Sequence, residues 1–244
     1  MNVLIIIPTY NEAENITDLI PAIQEQFAAI PDDCSILVVD DLSPDGTADV
    51  VKSMQGKYKN LYLMEHGEKA GLAAAYLAGF QWAMDKDIPA GKHFDACIEM
   101  DADFSHKPEY LPTMINLGHS HDVVIASRNI KGGGVEGWSA LRNFISKGGS
   151  LYSRLVIGVP IYDLTGGFNF WSRKALDAIG LEKIISRGYC FQVEMKARAY
   201  KKGLKYVEFP IIFPDRTKGE SKMDKKIIIE AMMNVWKLRN VGND

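Results

Sequence analysis

Cysteine is scarce in this sequence, and its placement excludes two kinds of site. The three cysteines, Cys34, Cys97 and Cys190, lie far apart, with no CxxC pair and no spacing typical of a zinc site. Three cysteines also cannot all pair within one chain. We therefore predict free thiols in a protein of a reducing compartment.

Long hydrophobic runs are also missing. The N-terminal stretch MNVLIIIPTY has no basic residues before its short apolar run, unlike a secretory signal. No segment approaches the roughly 18 consecutive apolar residues that are needed to cross a bilayer. The sequence thus predicts a cytoplasmic protein that at most lies against a membrane.

A basic excess is absent as well. The sequence has 28 Lys and Arg residues and 31 Asp and Glu residues, which gives a formal net charge of -3. Domains that bind nucleic acids usually carry a clear basic excess, so we expect no nucleic-acid partner. Hydrophobic residues make up 47% of the 244 residues, enough for a substantial core, and no repeat or linker divides the chain. We predict a single domain over residues 1–244.

Apolar runs of strand length alternate with helical patterns through the first half of the sequence. The predicted strands are Val3–Ile7, Ser35–Asp41, Leu61–Glu65, Asp95–Met100 and Asp122–Ser127. Fully apolar strands joined by helices predict an α/β fold with a mostly parallel central sheet and helices on both faces. Ligands bind such sheets beyond the carboxyl ends of the strands, here at residues 8–12, 40–41 and 101–105.

The second half of the sequence is less regular. A glycine-rich loop is predicted at Arg128–Asn143, followed by an apolar helix at Phe144–Val156. YDLTGGFNFWSRKAL is interpreted as a turn entering a short helix, YCFQVEMKARAYKKG as a helix ending at Gly203, and KYVEFPIIF as a strand. After the polar loop PDRTKGESKM we expect a last helix at Lys225–Arg239.

Two carboxylates follow the fourth predicted strand, in the segment IEMDADFSHKPEY. Asp101 and Asp103 are two residues apart in an extended chain, so their side chains point to the same side. Two ionised carboxylates held closely repel each other unless a cation or a proton lies between them. Mg²⁺ takes one or two protein carboxylates and fills its other positions with water and phosphate oxygens. The pair indicates such a site, although a solvated, aspartate-rich turn has the same pattern.

The first strand ends in PTYNEAENI, which is neither GxGxxG nor a P-loop. A nucleotide at this strand end would be held by side chains and a metal. The missing glycine-rich loop also disfavours a sugar-1-phosphate nucleotidyltransferase.

Taken together, PTYNE, VVDDLSPDGT and MDAD resemble the motifs of family 2 glycosyltransferases, which are inverting enzymes with the GT-A fold. DADFSHKPE, ASRNIKGGGVEGWSALRNFISKG, YDLTGGF and RTKGESKM are similar to motifs of the dolichol-phosphate or polyprenol-phosphate mannose synthases. The resemblance covers Asn2 to about Arg239. It implies a nucleotide-sugar-binding half at 1–127, an acceptor-binding half at 128–223 and a C-terminal amphipathic helix at 224–240.

The resemblance also implies roles for individual residues. The nucleotide sugar would contact Pro8, Tyr10, Asn11, Glu12, Val39, Asp41, Lys69, Asp101, Ala102, Asp103, Arg216 and Lys222. The metal, Mg²⁺ or Mn²⁺, would be bound by Asp101, Asp103 and Ser105, where some relatives have glutamine at the last position. The catalytic residues would be Asp101, Asp103 and Arg216. The acceptor phosphate would be held by Arg128, Arg142 and Ser146, in a site oriented by Asp163.

A lipid phosphate is already anionic at neutral pH, so it needs cationic groups beside it and no general base. Between Arg128 and Arg154 the sequence has five basic residues and one acidic residue, Glu136. The resemblance implies inverting transfer of a hexose, most commonly mannose from GDP-mannose, to a polyprenyl or dolichyl monophosphate, giving a β-linked lipid phosphosugar. Transfer from UDP-glucose stays open, as does a hydroxyl acceptor, for which Asp163 or Glu194 would be the base.

Some relatives continue into transmembrane helices after the catalytic part, whereas this sequence ends at Asp244. We therefore expect a peripheral enzyme on the cytosolic face of a membrane, with membrane-anchoring subunits as further candidate partners. The Phe144–Val156 helix and the segment KKIIIEAMMNVWKLRN are suited to the interface. Packing against the core or a partner subunit is the alternative for both.

Overall fold

The computed structural model describes residues 1–67, 71–85, 93–214 and 234–241. The strands are β1 (Asn2–Thr9), β2 (Asp33–Asp40), β3 (Leu61–Glu65), β4 (Ala96–Glu99), β5 (Val123–Ser127), β6 (Gly134–Val135), β7 (Asn169–Ser172), β8 (Tyr206–Pro210) and β9 (Ile212–Phe213). The α-helices are α1 (Ala13–Phe27), α2 (Thr47–Met54), α3 (Leu72–Asp85), α4 (Leu111–Gly118), α5 (Ala140–Ile157), α6 (Arg173–Ile179) and α7 (Tyr189–Lys201). Short 3-10 helices occupy Pro108–Tyr110, Leu181–Lys183 and Leu238–Asn240.

Seven strands form the central sheet, in the order β3-β2-β1-β4-β7-β5-β8. All neighbouring pairs are parallel except those of β7, which runs antiparallel to both β4 and β5. A second, small sheet pairs β6 with β9. The predicted α/β architecture with a mostly parallel sheet is therefore confirmed. Strands from both halves of the chain share the central sheet.

The apolar runs form strands buried on both faces. Alternate side chains of the strands point to opposite faces, which separates the core into two layers. The layer that includes α3 contains Leu4, Ile6, Leu37, Val39, Tyr76 and Phe80. The layer that includes α1 contains Val3, Ile5, Ile7, Ile36, Val38, Ile16, Leu19, Ile20 and Ile23. Burial on both faces explains why these strands read as continuous apolar runs and not as alternating patterns.

The interpretation of NFWS as part of a turn and helix was wrong. This segment is β7, in the middle of the sheet, where Phe170 and Trp171 are fully buried in opposite core layers. The strand has four residues and passes directly into α6, with the hydroxyl of Ser172 accepting the N–H of Ala175 as an N-cap. The cap residue Ser172 is also the last residue of the strand, so strand and helix follow each other without an intervening turn and read as one continuous segment.

The predicted start of the acceptor-half helix was also wrong. The helix α5 begins at Ala140, where the hydroxyl of Ser139 accepts the N–H of Arg142, and it ends before Gly158, whose φ is 75°. The glycine-rich loop is correspondingly shorter and contains β6.

Among the described residues, no helix combines the length and the apolar character that a membrane span requires. Most of the predicted helix at 225–239 lies outside the described residues.

Candidate active site

Three strand ends lie side by side at one edge of the sheet. The carboxyl ends of β2, β1 and β4 are neighbours there, and each is followed by a non-glycine residue with positive φ. These residues are Leu42 (54°), Asn11 (61°) and Phe104 (61°). Such conformations cost energy and concentrate at functional sites. The structure thus brings the predicted motifs PTYNE, VVDD and DADFS to a common edge.

Hydrogen bonds tie the loop after β1 to the loop after β2. Asp40 accepts the N–H of Ser43 at 2.9 Å, and the Ser43 hydroxyl in turn accepts the N–H of Asn11 at 3.0 Å. The N–H of Glu12 donates to the Thr47 hydroxyl at 3.1 Å. These contacts fix the backbone of the PTYNE loop before any ligand binds.

The residues predicted to line a nucleoside pocket differ in their exposure. Pro8 and Glu12 are half-buried, and Tyr10 and Asn11 are exposed at the strand edge. The other two predicted base contacts are deeper. Val39 has no accessible surface; Asp41 is 6% exposed and lies 3.0 Å from His66 Nδ1 and 3.3 Å from the N–H of Gly71.

Asp101, the first of the paired carboxylates, is oriented by a buried tyrosine that the sequence analysis missed. The hydroxyl of Tyr76, on α3, donates to Asp101 Oδ1 at 2.9 Å, and the Asp101 N–H donates to His106 Nδ1 at 2.8 Å. Burial, reinforced by the charge of Asp101, raises the pKa of Tyr76 well above its ordinary value. Tyr76 therefore stays protonated and acts as a donor. The side chain of Asp101 is 24% exposed, so it still reaches solvent.

Asp103, the second carboxylate, is held by its own turn. Its Oδ1 accepts both the N–H of Ser105, at 3.0 Å, and the Ser105 hydroxyl. Ser105 is only 2% exposed and acts as a hydrogen-bond donor behind the carboxylate. Its role as a further metal ligand stays a prediction. Ala102, between the two carboxylates, is buried in the core.

The chemistry of this pair fits a hard divalent cation. Within the described part of the chain, no group of three or more His, Cys, Asp or Glu side chains could enclose a metal ion. A site with two carboxylates suits Mg²⁺ or Mn²⁺ that shares its remaining positions with water and phosphate oxygens. Such a site leaves coordination positions open for water or for a phosphate-bearing ligand.

The acceptor-half residue Arg128 forms a buried, two-pronged ion pair with Asp163. Arg128 Nε donates to Asp163 Oδ2 at 2.8 Å, and Nη2 donates to Oδ1 at 2.7 Å. Burial alone would raise the pKa of Asp163, but the Arg128 guanidinium, followed by Lys196, holds it well below its usual range. An ionised Asp163 committed to this fork fixes the plane of the guanidinium.

Neither carboxylate considered as a base for a hydroxyl acceptor is placed for that role. Asp163 is fully buried in its pair with Arg128. Glu194 is fully buried as well and accepts Arg198 Nε at 2.9 Å and the N–H of Ser186 at 2.9 Å. Both groups serve as structural anchors, which favours an acceptor that needs no deprotonation.

The predicted acceptor residues converge on Trp138. The guanidinium of Arg142 lies 4.0 Å from the centroid of its ring, and that of Arg128 lies 5.8 Å from it. Ser146 follows Arg142 by one turn of α5, so both occupy the same side of the helix. The structure therefore brings Arg128, Arg142 and Ser146 into one region.

Aromatic contacts connect this region with the carboxylate pair. The ring of Trp138 meets Phe213 edge-on at 5.7 Å, and Phe213 meets His106 at 5.6 Å. His106 stacks on Phe168 at 4.8 Å and accepts the N–H of Asp101. His106 is 1% exposed, so it acts as a spacer between the two regions. The sequence left its role open.

A buried polar network beneath the site escaped the sequence analysis. Glu99 accepts hydrogen bonds from Asn169, Trp171 and Gln192 at 2.7 to 2.9 Å. Burial raises the pKa of Glu99 to about 7 and lowers that of Lys196 to about 8. The sequence gives no local signal for this network, because its members come from β4, β7 and α7 and meet only in the folded chain.

Three predicted donor-site residues, Lys69, Arg216 and Lys222, lie outside the described residues.

Comparison with known proteins points to one family. Residues 4–180 match the model of the family described as Glycosyl transferase family 2. Undecaprenyl-phosphate mannosyltransferase of Micrococcus luteus is 40% identical over 235 residues, covering 96% of this chain and 93% of the relative. Polyprenol monophosphomannose synthase of Mycolicibacterium smegmatis is 39% identical over 240 residues, covering 97% and 87%.

Solved structures share the fold at low sequence identity. Mannosyl-3-phosphoglycerate synthase from Rubrobacter xylanophilus has a TM-score of 0.69 and 18% identity, covering 98% of this chain and 74% of that one. Glucosyl-3-phosphoglycerate synthase from Mycobacterium tuberculosis, in complex with Mn²⁺, UDP and glucosyl-3-phosphoglycerate, has a TM-score of 0.64 and 14% identity, covering 98% and 78%. These similarities confirm the predicted GT-A fold.

Proposed function

The chain belongs to glycosyl transferase family 2, and we propose that it transfers mannose from GDP-mannose to the phosphate of a polyprenyl monophosphate. The product is a β-linked lipid phosphosugar. The names of the two bacterial relatives, which specify mannose and a polyprenyl phosphate, support this assignment over most of the chain.

The observation that carries the proposal is the composition of the acceptor region. Two arginines, Arg128 and Arg142, meet at Trp138, and neither of the carboxylates considered as bases is placed to take a proton. A phosphate acceptor requires this combination, because its nucleophilic oxygen is already ionised and must be brought next to an anionic donor. A hydroxyl acceptor would need a base in the same place.

The donor diphosphate is assigned to the carboxylate pair. Asp101 and Asp103 would hold Mg²⁺ or Mn²⁺, which when bound neutralises charge on the diphosphate that leaves. Hydrogen bonds from Tyr76 to Asp101 and from Ser105 to Asp103 restrain the two carboxylates. The nucleoside is assigned to the neighbouring strand end, where Tyr10 and Asn11 are exposed.

The reaction that this arrangement serves is a single displacement. A phosphate oxygen of the lipid forms a bond to the anomeric carbon, and the bond from that carbon to the nucleoside diphosphate breaks. The electron pair leaves with the diphosphate, so no proton transfer is required at either end. Attack from the face opposite the leaving group inverts the anomeric configuration, which gives a β product from an α-linked donor. Lys69, Arg216 and Lys222 remain proposed donor contacts.

The helix α5 also presents a hydrophobic surface suited to a lipid substrate. Phe144, Leu151 and Leu155 follow each other at helical spacing and are 76%, 52% and 75% exposed. Lys147 is exposed on the same helix, beside this stripe. We infer a peripheral association with the cytosolic face of a membrane, in which α5 enters the interface and carries Arg142 and Ser146 on its other side.

Sedimentation with vesicles tests that association. Wild-type protein should bind vesicles containing anionic lipid, and a Leu151→Ser, Leu155→Ser double variant should bind at least about fivefold less. Equal binding by both proteins would place the membrane contact elsewhere. No binding by either would favour a membrane-anchoring subunit as the partner of this helix.

A transfer assay tests the reaction itself. Radiolabelled GDP-mannose and UDP-glucose would each be offered with undecaprenyl phosphate, in the presence of Mg²⁺, Mn²⁺ or EDTA. We expect metal-dependent transfer of mannose, and a loss of about 100-fold or more in Asp103→Asn. Asp49→Asn, a change in an exposed carboxylate on α2, serves as the matched control. Glucose transfer would overturn the donor assignment, and an active, metal-independent Asp103→Asn protein would overturn the role of the carboxylates.

A further inference from the structure

Lys196 is a fully buried cation, and the active-site residues alone do not show its role in the proposed reaction. It lies on α7, and its ammonium group donates to the carbonyl oxygens of Asp163 at 2.9 Å, Leu164 at 3.4 Å and Gly166 at 2.6 Å. An ammonium group has three donors, and all three find acceptors within one turn of the chain. A buried charge persists only when it is satisfied in this way.

The turn held by Lys196, residues 163–166, makes the contacts that shape the acceptor region. Its first residue, Asp163, receives the two-pronged bond from Arg128, and its third residue, Thr165, accepts Arg128 Nη2 at 3.2 Å. The Thr165 hydroxyl also lies 3.2 Å from that of Ser150, which is one turn beyond Ser146 on α5. The turn therefore contacts both Arg128 and the side of α5 that carries Arg142 and Ser146.

The turn is restrained from other directions as well. Glu208 accepts the N–H of Asp163 at 2.9 Å, and Asn169 Nδ2 donates to the carbonyl of Gly166 at 3.2 Å. A Cβ atom at Gly166 would lie 3.2 Å from the carboxylate of Asp163, closer than nearly all such contacts. Any side chain there would push the carboxylate away from its present place.

We propose that Lys196 is a positioning residue for the acceptor phosphate: by fixing the turn 163–166 it sets the orientation of Arg128 without touching either substrate. The inference rests on the proposed function, because it assigns a phosphate acceptor to Arg128. It predicts a selective effect. Loss of Lys196 should weaken the use of the lipid phosphate and leave the donor side, built on β1, β2 and β4, largely unchanged.

The first test compares Lys196→Met with Arg198→Met in the full-length protein. Arg198 is also a buried cation of α7, but it pairs with Glu194 and the carbonyl of Lys183, away from the turn. We expect Lys196→Met to raise KM for undecaprenyl phosphate at least about tenfold, with KM for GDP-mannose within about twofold of wild type. Arg198→Met should lower the melting temperature while both KM values stay near those of wild type.

A second pair of variants disturbs the same turn without removing a buried charge. Gly166→Ala should displace the Asp163 carboxylate and raise KM for undecaprenyl phosphate several-fold, by about three- to tenfold. Gly167→Ala is the matched control, because its added methyl group would meet its nearest neighbour, His106, at an ordinary 3.6 Å. This pair decides the question if Lys196→Met fails to fold.

The possible results distinguish a failure of the proposed function from a failure of the inference about Lys196. Wild-type protein that transfers no sugar to undecaprenyl phosphate would overturn both the proposed function and this inference. Wild-type transfer combined with an unchanged KM for the lipid in Gly166→Ala, or with equal rises in both KM values, would overturn the inference alone.

Discussion

Replacing Tyr76 with phenylalanine tests how the carboxylate pair is organised. The substitution removes one hydroxyl group, which donates to Asp101 Oδ1 at 2.9 Å, and leaves a ring of nearly the same volume in the fully buried site. The stack of this ring on Phe191, with centroids 6.4 Å apart, should persist. The change therefore acts on the orientation of Asp101 more than on packing.

The size of the effect follows from the bond that is lost. A hydrogen bond to a charged group contributes about 1.5–3 kcal/mol. Because the Asp101 side chain is 24% exposed, water will replace part of that contribution, and we expect a net loss of about 1–2 kcal/mol in metal–nucleotide binding. This corresponds to a decrease in affinity of about 5- to 30-fold.

Isothermal titration of GDP in the presence of MnCl₂, together with KM for GDP-mannose, measures the effect. Both should weaken about tenfold in Tyr76→Phe, while KM for undecaprenyl phosphate stays within about twofold of wild type. Tyr62→Phe, in a half-buried tyrosine that packs on Trp82, should leave all three values unchanged. Tighter GDP binding by Tyr76→Phe would show that the hydroxyl merely competes with the metal for Asp101, and would refute the orientation argument.

Three further predictions concern the acceptor region and the sheet. Arg128→Lys replaces the planar guanidinium by a single ammonium group, so KM for undecaprenyl phosphate should rise about tenfold. KM for GDP-mannose should change little. Equal changes in both KM values would contradict the assignment of Arg128 to the acceptor phosphate. The depressed pKa of Asp163 contributes stability that is present above the ordinary value of 3.8 and is lost as pH falls through the folded-state pKa. Urea unfolding between about pH 4 and pH 2 should therefore show a steeper loss of unfolding free energy with falling pH in wild type than in Asp163→Asn, and parallel curves would contradict this. Gly118→Ala would place a methyl group 2.4 Å from the ring of Phe170 on β7, so the free energy of unfolding should fall by about 1–3 kcal/mol. Gly148→Ala, with no atom within 4 Å of the added carbon, is its control, and equal stability of the two variants would contradict the buried position of β7.

The sequence predicted the parts of the fold whose signals are local. Strands β1 to β5 each contain a short apolar run, and Asp101 and Asp103 follow the carboxyl end of β4, at the edge of the sheet where the sequence predicted them. The strand β7 was missed because it has only four residues and runs directly into a helix, whose cap residue Ser172 is part of the strand. Its central place in the sheet depends on pairing with β4 and β5, which no local pattern shows.

The site was predicted only as far as its motifs extend. Arg128, Arg142, Ser146 and the orienting Asp163 could be named from the resemblance, but Lys196 and Tyr76 could not. Lys196 contacts residues about thirty positions away along the chain, and Tyr76 reaches Asp101 from a helix in the preceding part of the fold. The roles of these side chains depend on tertiary packing. In a helical sequence pattern, a lysine looks like an ordinary surface residue and a tyrosine like an ordinary core residue.

The choice between a phosphate and a hydroxyl nucleophile is the sharpest test of the proposed reaction. Labelled GDP-mannose with Mg²⁺ would be offered undecaprenyl phosphate and, in a parallel reaction, undecaprenol of the same chain length. We expect a mannosyl phosphodiester from the phosphate and no transfer to the alcohol. Comparable transfer to undecaprenol would contradict it, because neither Asp163 nor Glu194 is placed to activate a hydroxyl group.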